Sequence, residues 1–112
     1  MKNSIYTKEN VPTMLVEEPS SLKEYSLIDV RRPDEYTGEL GHIEGSKLVT
    51  LGPDLEKFLK ETSKDTKILF ICRSGARSAQ STLYAKSIGF NDVYNMEGGM
   101  LYWNEKKFPV TK

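Results

Sequence analysis

Ile68-Leu69-Phe70-Ile71-Cys72-Arg73-Ser74-Gly75-Ala76-Arg77-Ser78 runs from a continuous apolar segment into a cysteine, then into a short basic turn holding a glycine, then into a helical pattern. An unbroken apolar run of this length is the composition of a parallel strand covered on both faces. A strand that empties into a helix start leaves backbone N–H groups without intrahelical partners. Together with the positive end of the helix dipole, those groups favour an anion. A cysteine at the lip of such a ring is expected to be held as the thiolate, and Arg73 and Arg77 add positive charge on either side of it. The expectation is a thiolate nucleophile in an anion cradle.

Downstream, Ala76, Ala79, Leu83 and Ser87 are predicted to form a small-residue stripe that lets the helix lie close to a sheet, with Tyr84 and Ile88 alongside. Gly89 ends that helix and Phe90 folds back onto it. Residues 92–96 are the last predicted strand; Gly98-Gly99 breaks it and an amphipathic helix starts at Met100. Upstream, residues 53–62 read as a helix with Leu55, Phe58, Leu59 and Thr62 on one stripe. Residues 27–30 and 47–49 are short strands, and 14–16 a first strand at a sheet edge. Residues 1–13 read as irregular. Ser21 with Glu24 fits a capping box. Strands alternating with helices at this spacing predict one α/β domain over residues 1–112, with a largely parallel sheet.

Composition narrows the function. The 112 residues carry 16 Lys and Arg against 16 Asp and Glu, so neither nucleic acid nor an anionic membrane is the expected partner. A single cysteine allows no internal disulfide. With one histidine as well, no metal is expected, and no cofactor is called for. Residues 1–6 have no apolar run of signal-peptide length, which reads as cytoplasmic.

In α/β folds ligands sit at the carboxyl ends of strands. Cys72 lies there, and Asp29 and Arg31 lie at the end of another strand, so the two places are expected to meet. Four residues separate Cys72 from Arg77, where a protein-tyrosine-phosphatase-type loop has five. The shorter loop favours a small group carried on sulfur over a tetrahedral oxyanion.

The chain resembles a single-domain rhodanese-like sulfurtransferase. The resemblance is carried by residues 27–36 (LIDVRRPDEY), 41–46 (GHIEGS), 71–78 (ICRSGARS), Gly89-Phe90 with Val93, and Glu97-Gly98-Gly99-Met100 with Trp103. It implies a three-layer sandwich around a five-stranded, largely parallel sheet. It also implies that Cys72 takes the outer sulfur of thiosulfate as a persulfide and passes it to cyanide or a thiol. The backbone of Arg73, Ser74, Gly75, Ala76, Arg77 and Ser78 would hold the charged sulfur. Arg73 would grip the sulfonate, while Arg77 would shape the loop through Asp29. The basic loop resembles that of the thiosulfate-using subgroup. Asp29 reads equally as a brace, and Arg31 as orienting the loop through an ion pair. Ser74 and Ser78 either donate to sulfur or cap the helix. His42 reads as a hydrogen-bonded loop residue, and Tyr102 and Trp103 as packing. The alternatives are a persulfide donor to a protein acceptor, or a phosphatase or arsenate-reductase-like enzyme on the same fold.

Overall fold

The computed structural model describes residues 3–112. Its strands are β1 (Ser4–Lys8), β2 (Val11–Leu15), β3 (Ser26–Asp29), β4 (Lys47–Leu48), β5 (Ile68–Ile71) and β6 (Val93–Met96). Its helices are α1 (Pro33–Tyr36), α2 (Pro53–Lys60), α3 (Ala76–Ser87) and α4 (Gly99–Glu105), with a 3-10 turn at Pro19–Leu22. The strands make one sheet in the order β1-β2-β6-β5-β3-β4, parallel throughout except for the β1–β2 pair.

β5 organises the three layers. All four of its residues are fully buried. Because strand side chains alternate in direction, Ile68 and Phe70 enter a core with Leu55 and Leu59 of α2 and Ala85 of α3. Leu69 and Ile71 enter the opposite core, with Leu22, Ile43, Met100 and Trp103. Cys72 continues the first set.

The sheet has six strands where five were expected, because residues 4–8 and 11–15 form a hairpin inside the stretch read as irregular. Its two-residue turn, Glu9-Asn10, has φ of 50° and 70°, the left-handed pair that suits strand twist. Every β1 residue is exposed, so no alternation of apolar and polar residues marks it. The strand predicted at 14–16 is β2, and it lies between β1 and β6, not at the edge. The capping box of Ser21 and Glu24 is not formed. Ser21 Oγ donates to the Glu18 carbonyl, while Glu24 pairs with Lys67.

The inward face of α3 also differs from the expected stripe. Ser78, Ser81, Thr82 and Ala85 are buried, whereas Ala76, Leu83 and Ser87 are exposed and Ala79 is half-buried. Hydroxyl residues can face the core because each finds an acceptor at once. Ser81 Oγ donates to the Arg77 carbonyl (2.9 Å) and Thr82 Oγ1 to that of Ser78 (2.8 Å). At the helix end Gly89 and Phe90 behave as predicted: the Phe90 N–H returns to the Ala85 carbonyl and its ring is buried.

Candidate active site

Cys72 stands at the carboxyl end of the central strand with 1% of its surface exposed. The chain turns immediately after it. Gly75 adopts φ 114°, a conformation costly for any residue with a Cβ, and this turn directs its N–H onto Cys72 Sγ at 3.0 Å. Ser78 Oγ, one helical turn on, lies 3.2 Å from the same sulfur. Among the described residues, the N–H groups of Arg73, Ser74, Ala76, Arg77 and Ser78 meet no protein acceptor. Such unpaired N–H groups are what a strand-to-helix turn leaves at the start of a helix.

The loop's carbonyls are turned the other way. Those of Cys72 and Arg73 accept the N–H groups of Met100 (2.8 Å) and Leu101 (3.0 Å) at the start of α4. This approach requires Gly99. A Cβ there would lie 2.5 Å from both carbonyl oxygens, and the residue's φ is 56°. The loop is therefore pinned through these two carbonyls by the first turn of α4.

The ion pairs differ from the expected ones. Arg77 does not reach Asp29. Its two terminal nitrogens hold the Glu35 carboxylate of α1 at 2.7 and 2.9 Å. Glu35 also accepts the Arg32 N–H at 3.1 Å. The Arg77 guanidinium holds the Glu35 carboxyl down at about 2, against an ordinary 4.5. Nothing in the sequence reading singled out Glu35. Its only signal was its place two residues into the turn that Pro33 starts.

Asp29 instead makes a buried bidentate pair with Arg31, at 2.9 and 2.8 Å. Arg31 also donates to the Gly41 carbonyl at 2.8 Å. No hydrogen bond among the described residues joins this pair to residues 72–78. It braces the segment after β3 against the 41–46 loop, and does not orient the cysteine loop through an ion pair of its own. β3 and β5 are neighbours, with Asp29 paired in register to Ile71, so the brace still lies beside the site.

Arg73 is exposed, at a cleft of about 230 Å³ shared with Arg31, Asp34, Glu35 and Glu39. On the inner side, Ser78 Oγ donates to Oδ1 of Asn95, a buried β6 residue that the sequence reading did not single out. His42 is a loop residue, its Nδ1 2.8 Å from the Tyr36 carbonyl and its ring stacked on Tyr36 at 3.7 Å. Trp103 is buried in the second core, and Tyr102 donates to the Val16 carbonyl.

A single cysteine that accepts a backbone N–H at the carboxyl end of the central strand of a mostly parallel sheet defines a class: α/β proteins with a cysteine at the start of a strand-to-helix loop. Comparison with known proteins narrows it. The family model for the rhodanese-like domain matches residues 13–106, and the chain belongs to that family. YtwF of Bacillus subtilis is 37% identical over 102 residues, covering 91% of this chain and 95% of that protein. The thiosulfate sulfurtransferase GlpE of Pseudoalteromonas translucida is 34% identical over 77 residues, covering 69% and 70%. The human single-domain sulfurtransferase TSTD1 superposes with a TM-score of 0.75 at 26% identity, covering 85% of this chain and 96% of that one.

Other curated relatives are longer. The chain spans 62% of rhodanese-like domain-containing protein 17 of Arabidopsis thaliana, with 30% identity over 99 residues. It spans 16% of a tRNA uridine(34) hydroxylase of Wolbachia pipientis, with 52% identity over 44 residues. Among the described residues no helix is long and apolar enough to cross a membrane.

Proposed function

We propose that this protein is a thiosulfate sulfurtransferase working through a Cys72 persulfide. The observation that carries the reading is the position of Cys72 Sγ, which receives the Gly75 N–H at 3.0 Å within a loop whose other N–H groups meet no acceptor among the described residues. In the first half-reaction the Cys72 thiolate attacks the outer sulfur of thiosulfate. An S–S bond forms to Cys72, the bond to the sulfonate sulfur breaks, and its electron pair leaves with sulfite. In the second, cyanide or a thiolate attacks the terminal sulfur and regenerates the Cys72 thiolate, a two-step covalent cycle.

The terminal sulfur of the persulfide is an anion one bond further from Cα. Loop donors with no acceptor among the described residues suit it without reorganisation. Exposed Arg73 is the group available to the departing sulfonate, since Arg77 is committed to Glu35. The four-residue spacing and the GlpE relationship favour thiosulfate sulfur over a phosphoryl group as the cargo.

The test is the intact mass of the protein after incubation with thiosulfate, beside Cys72→Ser. The expected outcome is a gain of one sulfur atom in the native protein alone, removed by cyanide as thiocyanate appears. A native protein that gains no sulfur, or a Cys72→Ser variant that gains it equally, would overturn the reading.

A further inference from the structure

Cys72, Ser78 and Asn95 stand in a line of three buried polar side chains. Sγ lies 3.2 Å from Ser78 Oγ, and Ser78 Oγ in turn hydrogen-bonds Asn95 Oδ1. Ser78 is fully buried and Asn95 is 6% exposed. The Ser78 hydroxyl has one proton to give. When Cys72 is a thiol, the line is satisfied in one direction: S–H donates to Ser78 Oγ, and Ser78 O–H donates to Asn95 Oδ1.

Sulfur transfer removes that arrangement. A thiolate can only accept, so Ser78 must turn its proton toward sulfur. Asn95 Oδ1 would then face the hydroxyl's lone pair. An asparagine side chain can resolve this by half a turn about its Cβ–Cγ bond, which brings Nδ2 to Ser78 Oγ. The line then runs Nδ2–H to Oγ and O–H to sulfur.

The surroundings permit that rotation. Among the described residues Asn95 Nδ2 makes no hydrogen bond, and because no buried polar side-chain atom there lacks a partner, Nδ2 is reached by solvent. It faces the open side of Gly75, where even an added Cβ would stay 3.9 Å away. Behind it lies a polar cavity of about 240 Å³ shared with Thr13, Ser74 and Glu97, which receives whichever half of the amide is turned from Ser78.

We propose that Asn95 is a positioning residue that lets Ser78 accept from the Cys72 thiol and donate to its thiolate. This role rests on the sulfur-transfer reading and adds to it the group that matches the site to both charge states of sulfur. The charged groups around the loop do not have that freedom. Arg77 is tied to Glu35 from α1, Asp29 to Arg31 beyond β3, and Lys8 of β1 to Glu97 after β6, while Arg73 points outward.

The test uses iodoacetamide alkylation of Cys72 against pH, which needs no sulfur donor. In Asn95→Asp the carboxylate accepts but cannot donate, so it holds the Ser78 proton away from sulfur. Alkylation at pH 7 is expected to fall about tenfold and to recover in alkaline buffer. Asn95→Leu, which leaves Ser78 free to turn, is expected to fall less. In a Ser78→Ala background the exchange Asn95→Asp is expected to lose most of its effect. Circular dichroism melts show that each variant is folded. Equal losses for folded Asp and Leu variants at every pH, or an undiminished Asp effect without Ser78, would overturn the proposal. The thiosulfate mass gain of the native protein, read separately, tells failure of sulfur transfer apart from failure of the Asn95 role.

Discussion

Glu35 links the acid chemistry of the protein to the shape of its site. It ties α1 to the first turn of α3 through two charge-assisted hydrogen bonds, and so holds Arg77 over the loop. Its carboxyl is held at about 2 when folded, against an ordinary 4.5, so the contribution is complete above about pH 4.5 and is lost as pH falls through about 2. Glu35→Gln is therefore expected to lower stability at neutral pH by about 1–2 kcal/mol, a figure reduced by the partial exposure of Arg77. The gap to the native protein should close between those two pH values, which urea unfolding at a series of pH values measures. Residue types also explain what was legible at this scale. Cys72 and Gly75 could be read because a lone cysteine after an apolar strand, followed by a glycine in a basic turn, carries its signal within a few neighbouring residues. Glu35 and Asn95 could not, because their roles depend on a carboxylate and an amide meeting Arg77 and Ser78 from distant positions in the chain.

At the scale of elements, α4 and the cysteine loop are two halves of one device. A Cβ at Gly99 would lie 2.5 Å from the carbonyl oxygens of Cys72 and Arg73, both of them backbone atoms that cannot step aside. At Gly75 the nearest atoms to an added Cβ are 3.8 Å away, so only its φ opposes a side chain. Gly99→Ala is expected to cost about 3–5 kcal/mol and Gly75→Ala about 1–2 kcal/mol, as chemical denaturation would show. Gly99→Ala should also lose more of the thiosulfate mass gain. The same scale shows where sequence patterns mislead. The predicted α3 stripe of Ala76, Ala79, Leu83 and Ser87 lies largely outward, and Ser81 and Thr82 face inward because their hydroxyls bond the preceding turn. The β1–β2 hairpin went unread because neither face of β1 is buried and its turn uses Glu9-Asn10 where Asn-Gly is the strong signal.

For the whole molecule, two cores share one sheet. Leu59 is buried among α2, α3 and one face of β5; Leu22 is buried on the far face near Trp103. Leu59→Ala and Leu22→Ala are each expected to cost about 2–5 kcal/mol. With no shared partner, their effects should add to within about 0.5 kcal/mol in a single unfolding transition followed by urea titration. That layered plan was legible because β5 is apolar at every position, which only a strand covered on both faces tolerates. The bonds from the Met100 and Leu101 amides to the loop carbonyls carry a consequence for watching the protein at work. Both amides can trade their protons with solvent only when the contact between the cysteine loop and the first turn of α4 opens. Their deuterium uptake is thus a native clock for that opening, requiring no label near the sulfur.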